Sequence, residues 1–327
     1  MATMNDVAKL AGVSRGTVSN YINGVKIKEI SQLKVQAAID ELGYIPNVTA
    51  RDLKRNRSDL VALILPTTKS PFFSELIYAL QQALKKNNFK TILCNSNNEM
   101  KEELEYIQMA KEQKVAGIIT ISYSELPAEL LTGVPIVSIE KKLLEDIPCV
   151  SSENSSGGRL AAKELVKHGA DHLLLVTRTT NKTIYNYGQR MEGFISYCKK
   201  NGIQFTIFNR SLHDDRFFSE LENYLLNEFK QSGINGIFAV SDQYADFIYT
   251  VLSNQNISVP DEVQIIGFDG SKMYPQQHAV LSSIRQPVTE IANECVNQLT
   301  DVLNKKVFDT KSITFLPVSF IQGKTTR

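Results

Sequence analysis

The sequence predicts a small all-α head that forms a helix-turn-helix, followed by an α/β core of two doubly wound subdomains. Three observations carry this prediction. Residues 4–24 place apolar side chains at helical spacing on both sides of a tight turn. From Leu60 onward, apolar strand-like runs alternate with amphipathic helices, which is typical of parallel sheets covered by helices. The alternation restarts near residue 157, so two subdomains of similar size are expected.

The first helix of the head and its turn are marked by local signals. Its predicted apolar face is formed by Val7, Ala8, Leu10 and Ala11. Gly12 stands where the chain must reverse. Ser14 is expected to cap the second helix, because its hydroxyl can accept a backbone N–H near Thr17.

The second helix has one apolar and one polar face. Val18 and Ile22 lie four residues apart and are expected to face inward. The candidate DNA-binding residues at the start of this helix and on its outer face are Ser14, Arg15, Gly16, Thr17, Ser19, Asn20 and Asn23. Such a helix is typical of one that enters the major groove of duplex DNA. The alternative is an ordinary helical hairpin.

A third helix is expected to complete the head. Ser31 is the predicted cap and Gly43 the predicted C-terminal stop. Its inward face is predicted from the helical spacing of Val35, Ala38, Ile39 and Leu42.

The stretch from Asp6 to Ser58 resembles the lactose/galactose repressor family of bacterial transcription regulators. The matching residues are Asp6-Val-Ala, Ala11-Gly-Val-Ser, Thr17-Val-Ser, Asn23, Leu42-Gly-Tyr, Pro46-Asn47, Ala50-Arg51 and Leu53. The resemblance implies binding to a palindromic operator in duplex DNA by a homodimer. It also implies that residues 46–59 form a hinge helix on DNA, with Asn47, Ala50, Arg51 and Leu53 as contact residues.

Two kinds of DNA contact are implied by this resemblance. Arg15, Gly16 and Asn20 occupy the positions that vary the choice of operator, and an asparagine suits the N6/N7 edge of adenine. Thr17, Ser19 and Asn23 are better placed for phosphates, which position a protein without reading sequence. Leu53 is expected to act as an apolar wedge in the minor groove; the alternative is a leucine packed against the core.

Composition fits a DNA-binding head on a larger body. The chain has 327 residues, 43% of them hydrophobic. Residues 1–58 carry nine Lys and Arg against five Asp and Glu, and the remainder carries 27 against 30. The four cysteines are scattered without metal-ligand spacing and are expected to be buried. We expect a cytoplasmic protein, because the sequence shows no signal peptide and no apolar run of about 18 residues.

The order of strands and helices sets the predicted domain bounds. The head is expected over 1–45, the hinge over 46–59, and a core for effector binding and dimerisation over 60–327. The N-subdomain is expected over about 60–156 and 288–317, and the C-subdomain over about 157–287 and 318–327. The core resembles the periplasmic-binding-protein-like core of the same regulator family. Ligands of such folds bind at the carboxyl ends of the strands.

Catalysis is poorly supported by the sequence. The histidines fall in no metal or nucleophile spacing, and Gly323-Lys-Thr-Thr lacks the upstream glycine that a phosphate loop needs. We therefore expect no enzyme, no cofactor and no metal.

Ligand binding is better supported, by polar residues at strand ends. The candidate effector-binding residues are Phe72, Phe73, Glu140, Arg190, Asp242, Asp269 and Gln286. Arg190 stands in an Arg-x-x-Gly-Phe signature of the family, which the resemblance assigns to effector binding. Phe72 and Phe73 could instead be core residues, and Glu140 an exposed charge. Ser241 replaces the asparagine that the family often carries, which leaves its contact with a ligand open.

The sequence therefore predicts a DNA-binding repressor of a carbohydrate-utilisation operon that a small sugar releases. Arginine, carboxylates and an aromatic wall suit an uncharged polyhydroxylated ligand. A purine corepressor and a protein partner remain alternatives. A sugar-binding transport protein is the alternative from a different class.

Overall fold

The computed structural model describes residues 2–45, 58–179, 186–211, 214–272, 274, 276–305 and 313–327. It divides into two compact units, Met1–Ser58 and Asp59–Arg327. We call the first the head and the second the core. Among the described residues, no helix combines the length and the apolarity that crossing a bilayer requires.

The head contains three helices around a small apolar centre. They are α1 (Met4–Ala11), α2 (Arg15–Ile22) and α3 (Glu29–Leu42). The centre is formed by Val7, Ala8, Ala11, Val18, Val35, Ala38 and Tyr44. The predicted inward face of α1 is wrong at Leu10, which is 45% exposed because it projects away from this centre.

The ends of the three helices follow local chemistry. The Ser14 hydroxyl accepts the Thr17 backbone N–H at 3.1 Å, which confirms the predicted cap. Gly12 and Gly43 both adopt the left-handed conformation that ends α1 and α3. The predicted cap Ser31 is wrong: α3 begins three residues earlier than predicted, with Lys28 at the N-cap position, and Ser31 lies inside its first turn.

The first half of the core is built on a six-stranded parallel sheet, sheet 1. Its strands are β1 (Leu60–Leu65), β2 (Lys90–Asn95), β3 (Gly117–Thr120), β4 (Ile136–Ile139), β5 (Cys149–Ser152) and β11 (Ile313–Leu316), in the order β11-β5-β4-β3-β1-β2. Helices α4 (Pro71–Lys86) and α10 (Val288–Leu303) pack on one face, and α5 (Met100–Glu112) packs on the other. A short 3₁₀ turn spans Ala128–Leu131.

The second half is built on another six-stranded sheet, sheet 2. Its strands are β6 (His172–Arg178), β7 (Gln204–Arg210), β8 (Gly236–Ala239), β9 (Gln264–Asp269), β10 (Ser282–Arg285) and β12 (Ser319–Ile321), in the order β12-β10-β9-β8-β6-β7. Only β12 runs antiparallel among the described strands. Its helices are α6 (Asn154–Lys167), α7 (Asn186–Asn201), α8 (Phe217–Asn227) and α9 (Asp242–Asn254), with a 3₁₀ turn at Phe229–Gln231.

The predicted alternation of strands and helices is confirmed, with two strands that the sequence did not predict, β5 and β12. The late segments complete both sheets as expected, since β11 joins sheet 1 while β10 and β12 join sheet 2. The described chain passes between the sheets after β5, after β10 and after β11. All four cysteines are free and buried, as expected from their scatter.

Helices α6 and α7 cross in very close contact. A Cβ on Gly158 would lie 1.9 Å from the carbonyl oxygen of Arg190, and one on Gly193 would lie 1.9 Å from that of Ser155. Each helix therefore needs a glycine where the backbone of the other passes. This explains the glycine of the Arg190-Met-Glu-Gly193-Phe194 segment, whose phenylalanine is buried and stacks on Phe238.

Candidate functional site

The head carries its polar residues on the outer side of α2. Arg15, Gly16 and Asn20 are exposed, while Thr17 and Ser19 are half-buried. A Cβ on Gly16 would meet nothing closer than the Ser14 hydroxyl at 3.6 Å. Packing therefore does not require a glycine there. A residue with ordinary helix propensity would favour helix formation over glycine by up to about 1 kcal/mol.

Several predicted phosphate contacts have partners within the head. The Asn23 side-chain amide donates to the Ser19 carbonyl at 2.7 Å, and the hydroxyls of Thr17 and Ser14 lie 2.9 Å apart. Asn23 is also the C-terminal cap of α2. These bonds hold the ends of α2 in place, and a phosphate contact from the same side chains stays a prediction.

Two features of the head were missed from the sequence. Thr3 and Asp6 form a reciprocal capping box at the start of α1, and the hydrogen bonds from Thr3 hold the pKa of Asp6 below its usual range. The Tyr21 hydroxyl donates to Gln36, which fastens α2 to α3. The four predicted hinge contacts, Asn47, Ala50, Arg51 and Leu53, lie outside the described residues.

The core contains a cleft of about 890 Å³ between its two sheets. Residues just after β3 and β4 line it from sheet 1, and residues just after β8, β9 and β10 line it from sheet 2. The carboxyl ends of both parallel sheets thus open into one cavity, which is where such folds bind ligands. The structure brings all seven predicted effector residues to this cleft: Phe72, Phe73, Glu140, Arg190, Asp242, Asp269 and Gln286.

The aromatic wall comes from the first turn of α4. Ser70 caps this helix, and Phe72 and Phe73 meet edge to face with ring centroids 5.3 Å apart. Phe72 is 8% exposed and also belongs to the apolar core of sheet 1, so it packs in the core and lines the cleft at once.

Arg190 is the buried cation of the cleft. The residue is 1% exposed, and its guanidinium carbon lies 3.5 Å from the Phe268 ring centroid. Its Nη1 donates to the Val240 carbonyl at 2.7 Å and lies 3.8 Å from the Asp269 carboxylate. Its Nε donates to the Asn154 side-chain oxygen at 2.8 Å. These partners compensate a charge that would be costly to bury alone.

A closed ring of contacts joins Arg190 to both halves of the core. Asn154 donates to Glu140 at 2.7 Å, and Glu140 accepts the Ser152 backbone N–H at 3.0 Å. The Ser152 hydroxyl donates to the Gln286 side-chain oxygen at 2.7 Å, and Gln286 donates to Asp269 at 2.7 Å. An oxygen of Asp269 lies 3.8 Å from the Arg190 Nη1, which closes the ring. The alternative that Glu140 is merely an exposed charge is excluded, since it is 8% exposed and bonded on both oxygens.

The two aspartates on the sheet 2 side both sit in poorly solvated surroundings. Burial raises the pKa of Asp269, and the neighbouring Asp242 carboxylate adds to this while Arg190 opposes it. Burial also raises the pKa of Asp242. Asp242 accepts from the Ser283 hydroxyl at 2.6 Å and from the Gly270 N–H at 2.8 Å. A Cβ on Gly267 would lie 2.3 Å from Asp242 Oδ1, which explains that glycine.

Comparison with known proteins agrees with these observations. Residues 3–47 match the bacterial regulatory proteins of the lacI family, and residues 162–326 match the periplasmic binding protein-like domain. The sucrose operon repressor of Streptococcus mutans is 36% identical over 329 residues, which cover 99% of each chain. The ribose operon repressor of Bacillus subtilis is 30% identical over 100% of this chain and 99% of its own.

The chain belongs to the lacI family of bacterial regulatory proteins. It is a DNA-binding transcriptional regulator, and its relatives are repressors rather than enzymes. A structure of the lac repressor dimer bound to operator and the anti-inducer ONPF has the same fold, with a TM-score of 0.83, 21% identity and 99% of each chain covered. The predicted family and fold class are confirmed.

The cleft of this lacI-family regulator has further polar groups, of which the sequence singled out only Ser241, without deciding its contact with a ligand. Among the described residues, the buried hydroxyl oxygens of Ser241 and Ser271 have no hydrogen-bond partner, and both residues line the cleft. Buried polar atoms are rarely left unpaired, so both hydroxyls are available to a ligand. Tyr123 and Tyr187 also line the cleft; burial raises the pKa of Tyr123 to about 12, so its hydroxyl keeps its proton.

A partly buried ion pair joins the two halves of the regulator's core beside the cleft. Glu75, on α4, accepts two hydrogen bonds from the guanidinium of Arg285 at the end of β10; the one from Nη1 measures 2.7 Å. The same carboxylate accepts the Lys272 backbone N–H at 3.1 Å. The two side chains are 21% and 20% exposed. No local signal predicts this contact, because its partners lie 210 residues apart.

Proposed function

We propose that this regulator represses a carbohydrate-utilisation operon and that a small uncharged sugar, bound in the cleft, lowers its affinity for the operator. The observation that carries the proposal is the ring around Arg190, where a buried guanidinium and the carboxylates Glu140 and Asp269 lie within one cavity shared by both sheets.

Sugar hydroxyls both donate and accept hydrogen bonds, and the cleft offers both kinds of partner. Asp269 can accept, Arg190 can donate, and the hydroxyls of Ser241 and Ser271 can do either. The aromatic rings of Phe72 and Phe73 supply an apolar wall of the kind that ligand pockets contain. The relatives named as sucrose and ribose operon repressors support the same ligand class.

The proposed mechanism couples the cleft to DNA through two states of the core. A sugar that binds more tightly when the cleft is closed shifts the core toward the closed state. A homodimer places two heads on a palindromic operator, and residues 46–59, with Asn47, Ala50, Arg51 and Leu53, form its hinges on DNA. Closing the cleft disturbs these hinges, so operator affinity falls. A regulator of this kind acts in the cytoplasm, where the operator is.

The test begins by selecting operator DNA from a random duplex library with the full chain. Fluorescence anisotropy then measures operator affinity with sucrose, D-ribose, their phosphate esters and hypoxanthine. We expect one uncharged sugar to lower operator affinity at least tenfold and to raise the melting temperature of the protein. A response confined to a phosphate ester, to hypoxanthine or to no compound would overturn the proposal.

A purine corepressor is the second candidate, favoured by the aromatic side chains around the cleft. Tyr123 and Tyr187 face the same cavity as Phe72 and Phe73 and could stack on a base. The same experiment separates the two by sign, because a corepressor raises operator affinity and an inducer lowers it. A regulator governed by a protein partner would answer to none of the compounds.

A further inference from the structure

Asn154 is a buried residue that lies behind the lining of the cleft and contacts it. It is the first residue of α6, directly after the chain leaves sheet 1, and its side chain is 1% exposed. It does not belong to the lining of the cleft. Instead it contacts two residues that do, Arg190 and Glu140.

The side-chain amide of Asn154 has a fixed orientation because its two neighbours are opposite in kind. Its oxygen accepts from the Arg190 Nε at 2.8 Å, and a guanidinium can only donate. Its nitrogen donates to a Glu140 oxygen at 2.7 Å and to the Ser152 carbonyl at 3.0 Å, which can only accept. Turning the amide over would set donor against donor and acceptor against acceptor.

The bond to Asn154 is one of two hydrogen bonds that orient the guanidinium of Arg190. Arg190 is held on its other side by the Val240 carbonyl and by the face of Phe268. Its nearest carboxylate, Asp269, is 3.8 Å away, too far for a hydrogen bond. The Nε bond to Asn154 and the Nη1 bond to Val240 therefore fix the orientation of the guanidinium plane together, and hence the direction of the donors that remain for a ligand.

We propose that Asn154 is a positioning residue. Its hydrogen bonds hold Arg190, from one half of the core, and Glu140, from the other half, in a fixed relative orientation at the cleft. The identity of the ligand in this proposal rests on the proposed function, whereas the hydrogen bonds of Asn154 do not depend on it. Asn154 acts on ligand affinity and selectivity through Arg190, without touching the ligand.

The first test needs no ligand. Hydrogen exchange of the arginine Nε–H groups is followed by NMR in the full chain, with the Arg190 signal identified by its loss in Arg190→Lys. We expect Asn154→Ala to speed exchange of this proton at least tenfold and Asn154→Asp to keep it protected, since aspartate still accepts. Equal rates in wild type and Asn154→Ala would overturn the proposal. The exposed Arg216 Nε–H, bonded to Asp214 at 3.2 Å, is the internal control.

The second test exchanges donor and acceptor between two residues. Asn154→Asp places a carboxylate against the carboxylate of Glu140. Glu140→Gln replaces one of two acceptor oxygens with an amide nitrogen, which then faces a hydrogen-bond donor. Each variant alone is therefore expected to weaken sugar binding at least tenfold. In the double variant the carboxylate introduced at position 154 accepts from the amide introduced at position 140 and from Arg190, and the total charge is unchanged. We expect it to bind at least tenfold better than the two single losses multiplied together.

Calorimetry with sucrose and with D-ribose measures these affinities. Additive losses would show that Asn154 and Glu140 do not act as a unit, which contradicts the proposal. Asn227→Asp, the same change at an exposed asparagine of α8, is the matched control and is expected to bind as wild type does. If wild type binds neither sugar, the proposed ligand class fails, and the exchange measurement still decides the role of Asn154.

Discussion

At the scale of single residues, Arg190 concentrates the chemistry of the cleft. It is the largest fully buried side chain of the described chain, and it is polar. It belongs to α7, and it lines the cavity between the sheets. A buried cation with several fixed partners is a reliable donor for a ligand, because little of it has to be ordered on binding.

We expect Arg190→Ala to lower sugar affinity at least a hundredfold while operator affinity in the absence of sugar changes less than threefold. The reason is that Arg190 contacts the core only, and its loss removes a ligand donor. Titration of the protein–operator complex with sugar measures both quantities. Arg216→Ala, at a side chain that is 75% exposed, is the matched control. An unaltered response in Arg190→Ala would show that the ligand binds elsewhere.

The raised pKa of Asp269 predicts a pH dependence of stability. In the folded protein without ligand, this carboxyl keeps its proton at pH values at which the unfolded chain has lost it. The folded state then binds more protons, so the free energy of unfolding falls as pH rises from about 4, the ordinary aspartate pKa, to the raised value.

We therefore expect the free energy of unfolding of wild type, minus that of Asp269→Asn, to decline as pH rises through this interval. Urea denaturation at a series of pH values measures the difference. Asp146→Asn, at an exposed carboxylate, is the matched control. A difference that rises with pH would mean that Arg190 outweighs burial in setting this pKa.

At the scale of elements, the crossing of α6 and α7 holds the cleft together. Gly193 lies one turn after Arg190, and Gly158 lies one turn after Asn154. The close approach of the two helices at these glycines therefore places the Arg190 and Asn154 side chains within hydrogen-bond distance of each other. The signature Arg-x-x-Gly-Phe thus combines a cleft residue, a close helix contact and a core residue.

We expect Gly193→Ala to lower the free energy of unfolding of the core by about 3 kcal/mol or more, because the added methyl group meets backbone rather than a movable side chain. Ligand affinity is expected to fall as well, since Arg190 moves with its helix. Chemical denaturation and sugar titration measure the two effects. Ser196→Ala, at an exposed position of the same helix, is expected to change neither. A fully stable Gly193→Ala protein would show that the helices can separate without cost.

At the scale of the whole core, the Glu75–Arg285 ion pair joins the two subdomains through a contact separate from the ring around Arg190. Both partners are about four-fifths buried, and Glu75 also holds the backbone of Lys272. Removing one partner leaves the other charge partly buried and unpaired, which is costly. The pair therefore stabilises the arrangement of subdomains described here, with its cleft of about 890 Å³. Within the proposed mechanism, we assign this arrangement to the operator-binding state.

We expect Glu75→Gln to weaken operator binding several-fold and to strengthen sugar binding by a similar factor. Linkage requires the two changes to be opposite when a variant shifts one equilibrium between two states. Operator anisotropy and sugar calorimetry measure them. Glu220→Gln breaks the Arg210–Glu220 pair, which lies within one subdomain, and is the matched control. A joint fall in both affinities would indicate simple destabilisation and contradict this role.

The helices, the strands and the polar positions at strand ends follow from local patterns along the chain. Helical spacing, the Ser14 cap and the turn glycines are local signals, so the head could be predicted from them. Apolar strands alternating with helices required parallel sheets, and the carboxyl ends of parallel strands meet at one edge. For that reason all seven predicted effector residues lie at the cleft.

The partners that hold those residues come from distant segments and could not be predicted from the chain. Strand β5 was missed because Cys149-Val-Ser-Ser has the polarity of a loop. Its two serines are nevertheless buried, and hydrogen bonds with Asn154 and Gln286 compensate the burial of their hydroxyls. Asn154 was missed with it. The Ser152–Gln286 bond spans 134 residues and the Glu75–Arg285 pair spans 210. Hydrogen-bond partners that come from distant segments leave no periodicity in the chain, and they exist only once both sheets have formed.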